Sequence, residues 1–177
     1  GNTVLAKPAE QTSLIALRAI ELMTSVGLPH GVVQAVIARG SDVGSVIIPN
    51  ARVQAVIFTG SIKTATIISQ TLADRGGDQV PFIAETGGQN CMLVDSTALP
   101  EQVVDDVISS GFQSAGQRCS ALRVLFLQED VADNIIKMLK GALAELHVGN
   151  PEKLSTDVGP VIDQKALDSL NAHSDYM

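Results

Sequence analysis

Two residues in this chain have side chains suited to share a reaction. Cys119 stands in Gly116-Gln117-Arg118-Cys119-Ser120, and Glu85 in Ala84-Glu85-Thr86-Gly87-Gly88. A thiolate is a nucleophile, and a carboxylate brought beside it activates water; together they equip a site for covalent catalysis. The two lie far apart in sequence, so only folding can bring them together. The neighbouring Arg118 guanidinium would lower the thiol pKa, or serve structure alone. Ser114, Ala115, Gly116, Ser120 and Ala121 are small and leave room at the sulfur. The competing reading is a buried structural thiol, the commoner fate of a lone cysteine. For Glu85 the rival is a carboxylate pairing with a neighbour or capping a turn. Its place at the end of an apolar strand predicts partial burial, and the two glycines that follow permit close approach by a ligand. Cys91, inside a strand, reads as core.

Phe58-Thr59-Gly60-Ser61 is a second constellation. An apolar strand running through Gly-Ser into a helix leaves N–H groups free to seat a phosphate. A plain turn with a capping serine explains the same residues equally well. Lys7 and Glu10, flanking Pro8 after Val4-Leu5-Ala6, could reach a ribose from the carboxyl edge of a parallel sheet. Two solvated surface charges are the commoner arrangement. Neither a Gly-x-Gly-x-x-Gly fingerprint nor a Walker loop occurs. His30, His147 and His173 are scattered and suggest neither a metal set nor a Cys–His dyad; they read as surface residues.

The elements that must position these residues alternate. Strands are expected at 4–6, 32–37, 54–58, 80–84, 91–94 and 122–127, the last strongly buried. A helix capped near Thr12-Ser13 and stopped by Gly27 would turn Ile15, Ala19, Leu22 and Val26 inward. A short helix is expected at 41–48. Ser61 caps another, running to Asp74 and closed by Arg75-Gly76-Gly77-Asp78. Pro100 opens a helix with Val104, Val107, Ile108 and Gly111 on one face. From Glu129 a helix aligns Ile136, Leu139, Leu143 and Leu146, and 148–160 is loop. Strand–helix alternation of this length predicts βαβ units and a mainly parallel α/β sheet.

Composition agrees and excludes several classes. The 177 residues are 45% hydrophobic, 18% charged and 3% aromatic, without tryptophan, so the core is aliphatic. The net charge of −7 and the lack of a Lys/Arg cluster argue against a nucleic-acid partner. Two cysteines make no disulfide framework. No apolar run is long enough to span a bilayer and no leader peptide is visible, so a reducing cytoplasmic setting is the default expectation. Neither Gly1-Asn2-Thr3 nor Tyr176-Met177 reads as a natural terminus, which suggests a piece of a larger protein.

Taken in order, Gly1-Asn2-Thr3-Val4, Lys7-Pro8-Ala9-Glu10-Gln11-Thr12, Phe58-Thr59-Gly60-Ser61, Glu85-Thr86-Gly87-Gly88 and Gly116-Gln117-Arg118-Cys119 resemble the NAD(P)-dependent aldehyde dehydrogenase superfamily. Glu-Thr-Gly-Gly-Gln-Asn and Ser-Ala-Gly-Gln-Arg-Cys-Ser-Ala-Leu-Arg are similar to one branch: the L-glutamate γ-semialdehyde dehydrogenase module of bifunctional proline-utilisation enzymes. The resemblance covers essentially the whole chain. It implies that Cys119 attacks the aldehyde to give a thiohemiacetal and then a thioester, and that Glu85 activates the hydrolytic water. It places NAD, with NADP still open, on Lys7, Glu10, Phe58, Gly60, Ser61, Thr86 and Gly87. It puts Arg118 and Ser120 near the substrate, and the Cys119 N–H in an oxyanion hole.

The same resemblance implies that 1–84 is the second half of a cofactor domain and 85–177 the first part of a catalytic domain. The family's oxyanion asparagine would precede Gly1. Its nicotinamide-ribose glutamate, substrate-carboxylate anchor and oligomerisation hairpin would follow Met177. Ala65 stands where many members have glycine. Expected partners are a small aldehyde and, in the full-length protein, further copies of itself; no metal is expected, and no nucleic acid or membrane through this segment. A piece of this kind would expose sheet edges, self-associate and show little or no activity alone. The rival expectation is a non-catalytic nucleotide-binding or scaffolding remnant of the same fold; a thiol-redox protein is disfavoured because neither cysteine has a CxxC partner.

Overall fold

The computed structural model describes residues 1–177. Along the chain run β1 (Val4–Ala6), α1 (Ser13–Ser25), β2 (Val33–Ala35), α2 (Gly40–Val46), β3 (Val56–Gly60), α3 (Ile62–Asp74) and β4 (Phe82–Thr86). Then follow β5 (Asn90–Val94), α4 (Pro100–Phe112), β6 (Leu122–Leu127), α5 (Glu129–Glu145) and α6 (Gln164–Tyr176). β1 pairs with β2, β3 with β4 and β5 with β6, all in parallel. Each pair is joined through a helix, so the sequence-based expectation of α/β architecture built from βαβ units is met. No helix is long and apolar enough to cross a membrane.

The chain divides into two compact units, Gly1–Thr86 and Gly87–Met177. Glu85 lies in β4, the last strand of the first unit.

In the first unit, α3 is capped by Ser61, whose Oγ accepts the Thr64 N–H at 3.2 Å. Ala65 and Ile68 are its buried residues. α1 ends at Gly27, whose φ of +107° suits glycine alone. The covered stripe of α1 is Ala16, Ala19, Ile20 and Thr24, whereas Ile15, Leu22 and Val26 are exposed. The helix is apolar nearly all round, and its small-residue stripe is the one that comes to lie against β2.

The second unit packs a core of Val94, Val103, Val107 and Ile135, with Met92, Leu122, Leu125, Leu127 and Leu139 against it. Pro100 opens α4 as expected. On α5 the anchor is Ile135, 1% exposed, rather than Ile136, 41% exposed; the direction of α4 settles which side of a broad apolar arc is covered. Cys91 is exposed rather than core. On β5 side chains alternate, so Met92 and Val94 face the core while Cys91 and Leu93 face away. β6 is likewise covered on one side, leaving Arg123, Val124 and Phe126 exposed. The 148–160 loop contains one isolated parallel bridge, Val148 to Val158.

Candidate active site

In the first unit, strand register gathers the residues singled out by sequence. Phe58 pairs with Ala84, Thr59 with Glu85 and Gly60 with Thr86, all at the carboxyl ends of β3 and β4. Ser61 follows directly, as the cap of α3. Phe58 is half-buried and its ring folds back over Gly60: a Cβ there would meet the ring Cζ at 2.5 Å. Glycine at 60 therefore makes room for Phe58, a constraint that strand reading alone did not find. Phe82 is half-buried and lines one surface depression with Ala65 and Ser69 of α3. Alternation then sends Ile83 and Glu85 to the opposite face. Glu85 is consequently exposed rather than half-buried, while Thr86 is half-buried.

Lys7 and Glu10 follow the carboxyl end of a different pair, β1–β2. The Lys7 ammonium donates to the Pro8 carbonyl at 2.7 Å, and its Cε comes near the space a Cβ at Gly40 would take. Glu10 is exposed in a short 3-10 turn, Glu10–Thr12.

In the second unit, Cys119 lies between the end of α4 and the start of β6, beside the amino ends of the β5–β6 pair. The chain reaches it through a turn over Gln113–Gly116 in which Ser114, Ala115 and Gly116 all take left-handed conformations, φ 55°, 54° and 66°. For serine and alanine this backbone costs about 1–3 kcal/mol each and persists only where surroundings enforce it. A Cβ at Gly116 would stand 2.9 Å from the Gly111 carbonyl.

The enforcing contacts are visible. Arg118 donates from Nε to Ser114 Oγ at 3.1 Å and from Nη1 to Gln113 Oε1 at 3.3 Å. Its guanidinium is thus engaged with the turn. Gln117 donates to the Ser114 carbonyl at 3.1 Å and accepts the Ile162 N–H at 2.7 Å. Arg123 donates to the Gly116 carbonyl at 2.7 Å. Asn90 donates to the carbonyls of Cys119 and Ala121 at 2.7 and 3.0 Å. Cys119 and Ser120 themselves are exposed, and Ala121 behind them is 2% exposed. The sequence reading missed Asn90, Gln117 and Arg123. Arg123 carried one signal: it is the only charge in Leu122–Leu127.

Gly87, Cys119, Arg118 and Ser120 belong to the second unit; the remaining singled-out residues belong to the first. Each unit thus presents an exposed group: the Glu85 carboxylate at the carboxyl end of β4, and Cys119 on a pinned turn.

An α/β chain with these features matches the model of the aldehyde dehydrogenase family over residues 1–176. The chain belongs to that family. It is 54% identical over 180 residues to the bifunctional protein PutA of Salmonella typhimurium, covering 100% of this chain and 14% of that protein. It is 36% identical to the 1-pyrroline-5-carboxylate dehydrogenase of Bacillus thuringiensis, covering 98% of this chain and 34% of the relative. A crystal structure of a variant of Bradyrhizobium japonicum proline utilization A superposes with a TM-score of 0.95 at 50% identity, covering 99% of this chain and 18% of that one. The chain therefore spans 14% of the length of the curated PutA relative.

Proposed function

We propose that this chain carries the nucleophile and the general base of an enzyme that oxidises L-glutamate γ-semialdehyde to L-glutamate in proline catabolism, with NAD as hydride acceptor. The observation that carries the reading is an exposed Cys119 thiol on a turn fixed by four side chains, in a chain matched by the aldehyde dehydrogenase model. The likeness to PutA and to 1-pyrroline-5-carboxylate dehydrogenase supports this choice of substrate.

The first turn of α3 suits a pyrophosphate. Ser61 takes the Thr64 N–H, and the earlier N–H groups of a helix have no intrahelical acceptor. Gly60, Ser61 and Phe58 would hold the cofactor there, with Lys7 and Glu10 at a ribose and Thr86 and Gly87 beyond. When bound, the nicotinamide supplies the acceptor for the hydride that leaves the substrate carbon. The chain's own part begins with Cys119 Sγ bonding to the aldehyde carbon, while the Cys119 N–H meets the oxygen that gains charge. After oxidation the substrate is held as a thioester. Glu85 takes a proton from water, whose oxygen adds to the thioester; the C–S bond breaks, the acid leaves and the thiol is restored. Ser120 would border the substrate, and Arg118 acts by holding the turn. The full-length protein is proposed to be a homo-oligomer, and the chain by itself to turn over little aldehyde.

In the full-length protein, Cys119→Ser should lower NADH formation from L-glutamate γ-semialdehyde by about a thousandfold or more. Glu85→Gln should leave the first turnover visible as a burst and slow later ones. Comparison of NAD with NADP fixes the acceptor. Undiminished turnover by Cys119→Ser would sink the reading in favour of a non-catalytic nucleotide-binding or scaffolding role. So would a Cys119 that iodoacetamide does not alkylate at neutral pH.

A further inference from the structure

The Cys119 turn is held from the strands behind it, and the residues that hold it are placed by an irregularity in the sheet. In the β5–β6 pair Asn90 is opposite Leu122 while Cys91 is opposite Val124. Arg123 is therefore the extra residue of a β-bulge, a feature that re-aims a side chain next to sites of function. Its guanidinium leaves the strand and donates to the Gly116 carbonyl at 2.7 Å, and it reaches the Arg118 carbonyl at 3.4 Å. Across the bulge, the Asn90 amide donates both of its hydrogens, to the Cys119 and Ala121 carbonyls.

These four acceptors flank one residue. The Arg118 carbonyl shares a peptide plane with the Cys119 N–H, and the Cys119 carbonyl belongs to the next plane. Fixing both planes fixes the direction of the Cys119 N–H and of its Cα–Cβ bond. The turn before it is left-handed at three successive residues and would relax without external hold.

We propose that Asn90 and Arg123 form a two-residue positioning clamp, placed by the β5–β6 bulge, that sets the orientation of the Cys119 sulfur and N–H for attack on the carbonyl. The proposal rests on the reading of Cys119 as nucleophile. Neither clamp residue reacts; both act through the backbone of residue 119. Misplacing a reacting group by about an ångström costs up to about a hundredfold in rate. The loss belongs in kcat rather than in cofactor binding, which neither side chain serves.

Asn90→Asp keeps the shape and removes both donors, and Asn90→Ser keeps a single, shorter one. Each is made in the full-length protein and assayed with L-glutamate γ-semialdehyde and NAD at a temperature where melting curves show full folding, with Cys119 counted by iodoacetamide labelling. Asn90→Asp should lower kcat per labelled thiol about ten- to a hundredfold with KM for NAD unchanged, and Asn90→Ser by less. Arg123→Lys, which loses the guanidinium Nη2 that donates to both carbonyls, should behave like Asn90→Ser. If Asn90→Asp does not fold, Asn90→Ser and Arg123→Lys carry the test. A kcat within about threefold of the parent, with only the melting temperature lowered, overturns the clamp and leaves two residues that merely stabilise the sheet. Full activity in Cys119→Ser overturns the nucleophile reading and the clamp with it. Loss there, with unimpaired clamp variants, overturns the clamp alone.

Discussion

The β3–α3–β4 and β5–α4–β6 segments are built on one plan, a parallel pair joined by a 13-residue helix. They use it in opposite ways. In the first, Gly60, Ser61, Glu85 and Thr86 cluster at the carboxyl ends of the strands, where α/β folds ordinarily bind ligands. Backbone geometry places them: strand register, one cap and a glycine beneath a phenyl ring. In the second, Cys119 stands at the amino ends, and a network of side-chain hydrogen bonds holds it in a strained turn. The cores differ in step. α3 buries Ala65 and Ile68, whereas α4 and α5 close a contiguous cluster over β5 and β6. On the proposed reading, a nucleophile needs a firmly held backbone, while a cofactor seat needs open N–H groups and room.

The sharpest way to break this comparison is to remove one buried branch from each segment. Ile135 is 1% exposed and touches the cluster made by α4 and both strands, so Ile135→Ala should cost about 3–5 kcal/mol. Ile68, 9% exposed against a thinner layer, should lose nearer about 2 kcal/mol in Ile68→Ala. Amide hydrogen exchange on the full-length protein separates the losses by segment. Equal losses, or a larger one for Ile68, would show that the first segment has as much core as the second.

A smaller effect tests the helix starts. α3 has a side-chain cap, Ser61, and α4 has none, its preceding residue being Leu99. Ser61→Ala should loosen the first turn of α3 by about 1 kcal/mol. Leu99 is 62% exposed, so Leu99→Asp sacrifices little burial and should stabilise α4 by about 0.5–1 kcal/mol. Exchange rates of the first-turn amides report both. A silent Ser61→Ala would mean that the α3 start is held by something other than its cap.

Local chemistry made much of this legible in the sequence. β1 and β6 have the bounds expected of them, Ser61 caps α3, and Pro100 opens α4, because each depends on neighbours a few residues away. What escaped depends on partners remote in the chain. Whether a strand residue is core is decided by the helix that crosses one face, so Cys91 read as buried and lies exposed. α1 and α5 carry apolar arcs wide enough for two stripes, and packing chose Ala19 with Ile20 and Ile135 rather than Leu22 and Ile136. The Cys119 motif was visible as residue types. Its support by Asn90 and Arg123 arises from a bulge, and nothing in residues 116–120 announces that.

The turn that follows β5 supplies the finest test of the difference between the two segments. It is the counterpart of Gly60-Ser61, yet its polar groups are spent on one another. The Asp95 carboxylate accepts the Thr97 hydroxyl at 2.6 Å and the Thr97 N–H at 2.8 Å, and the Ser96 N–H donates to Gln128 at 2.9 Å. The bonds from Thr97, its hydroxyl foremost, favour the ionised form and hold Asp95 below its ordinary value of 3.8. The depressed value means that this carboxylate adds stability at all pH above its unfolded value, and that the contribution fades as pH falls through the lower folded value. Thr97→Val removes the hydroxyl and should move the Asp95 carboxyl titration, followed by carbon NMR, upward toward the ordinary value. The variant should also lose most of that acid-side dependence. An unchanged titration would mean that the turn is not closed by Thr97. The carboxyl ends of β5 and β6 would then be as open to a ligand as those of β3 and β4, and the assignment of opposite ends to the two segments would fail.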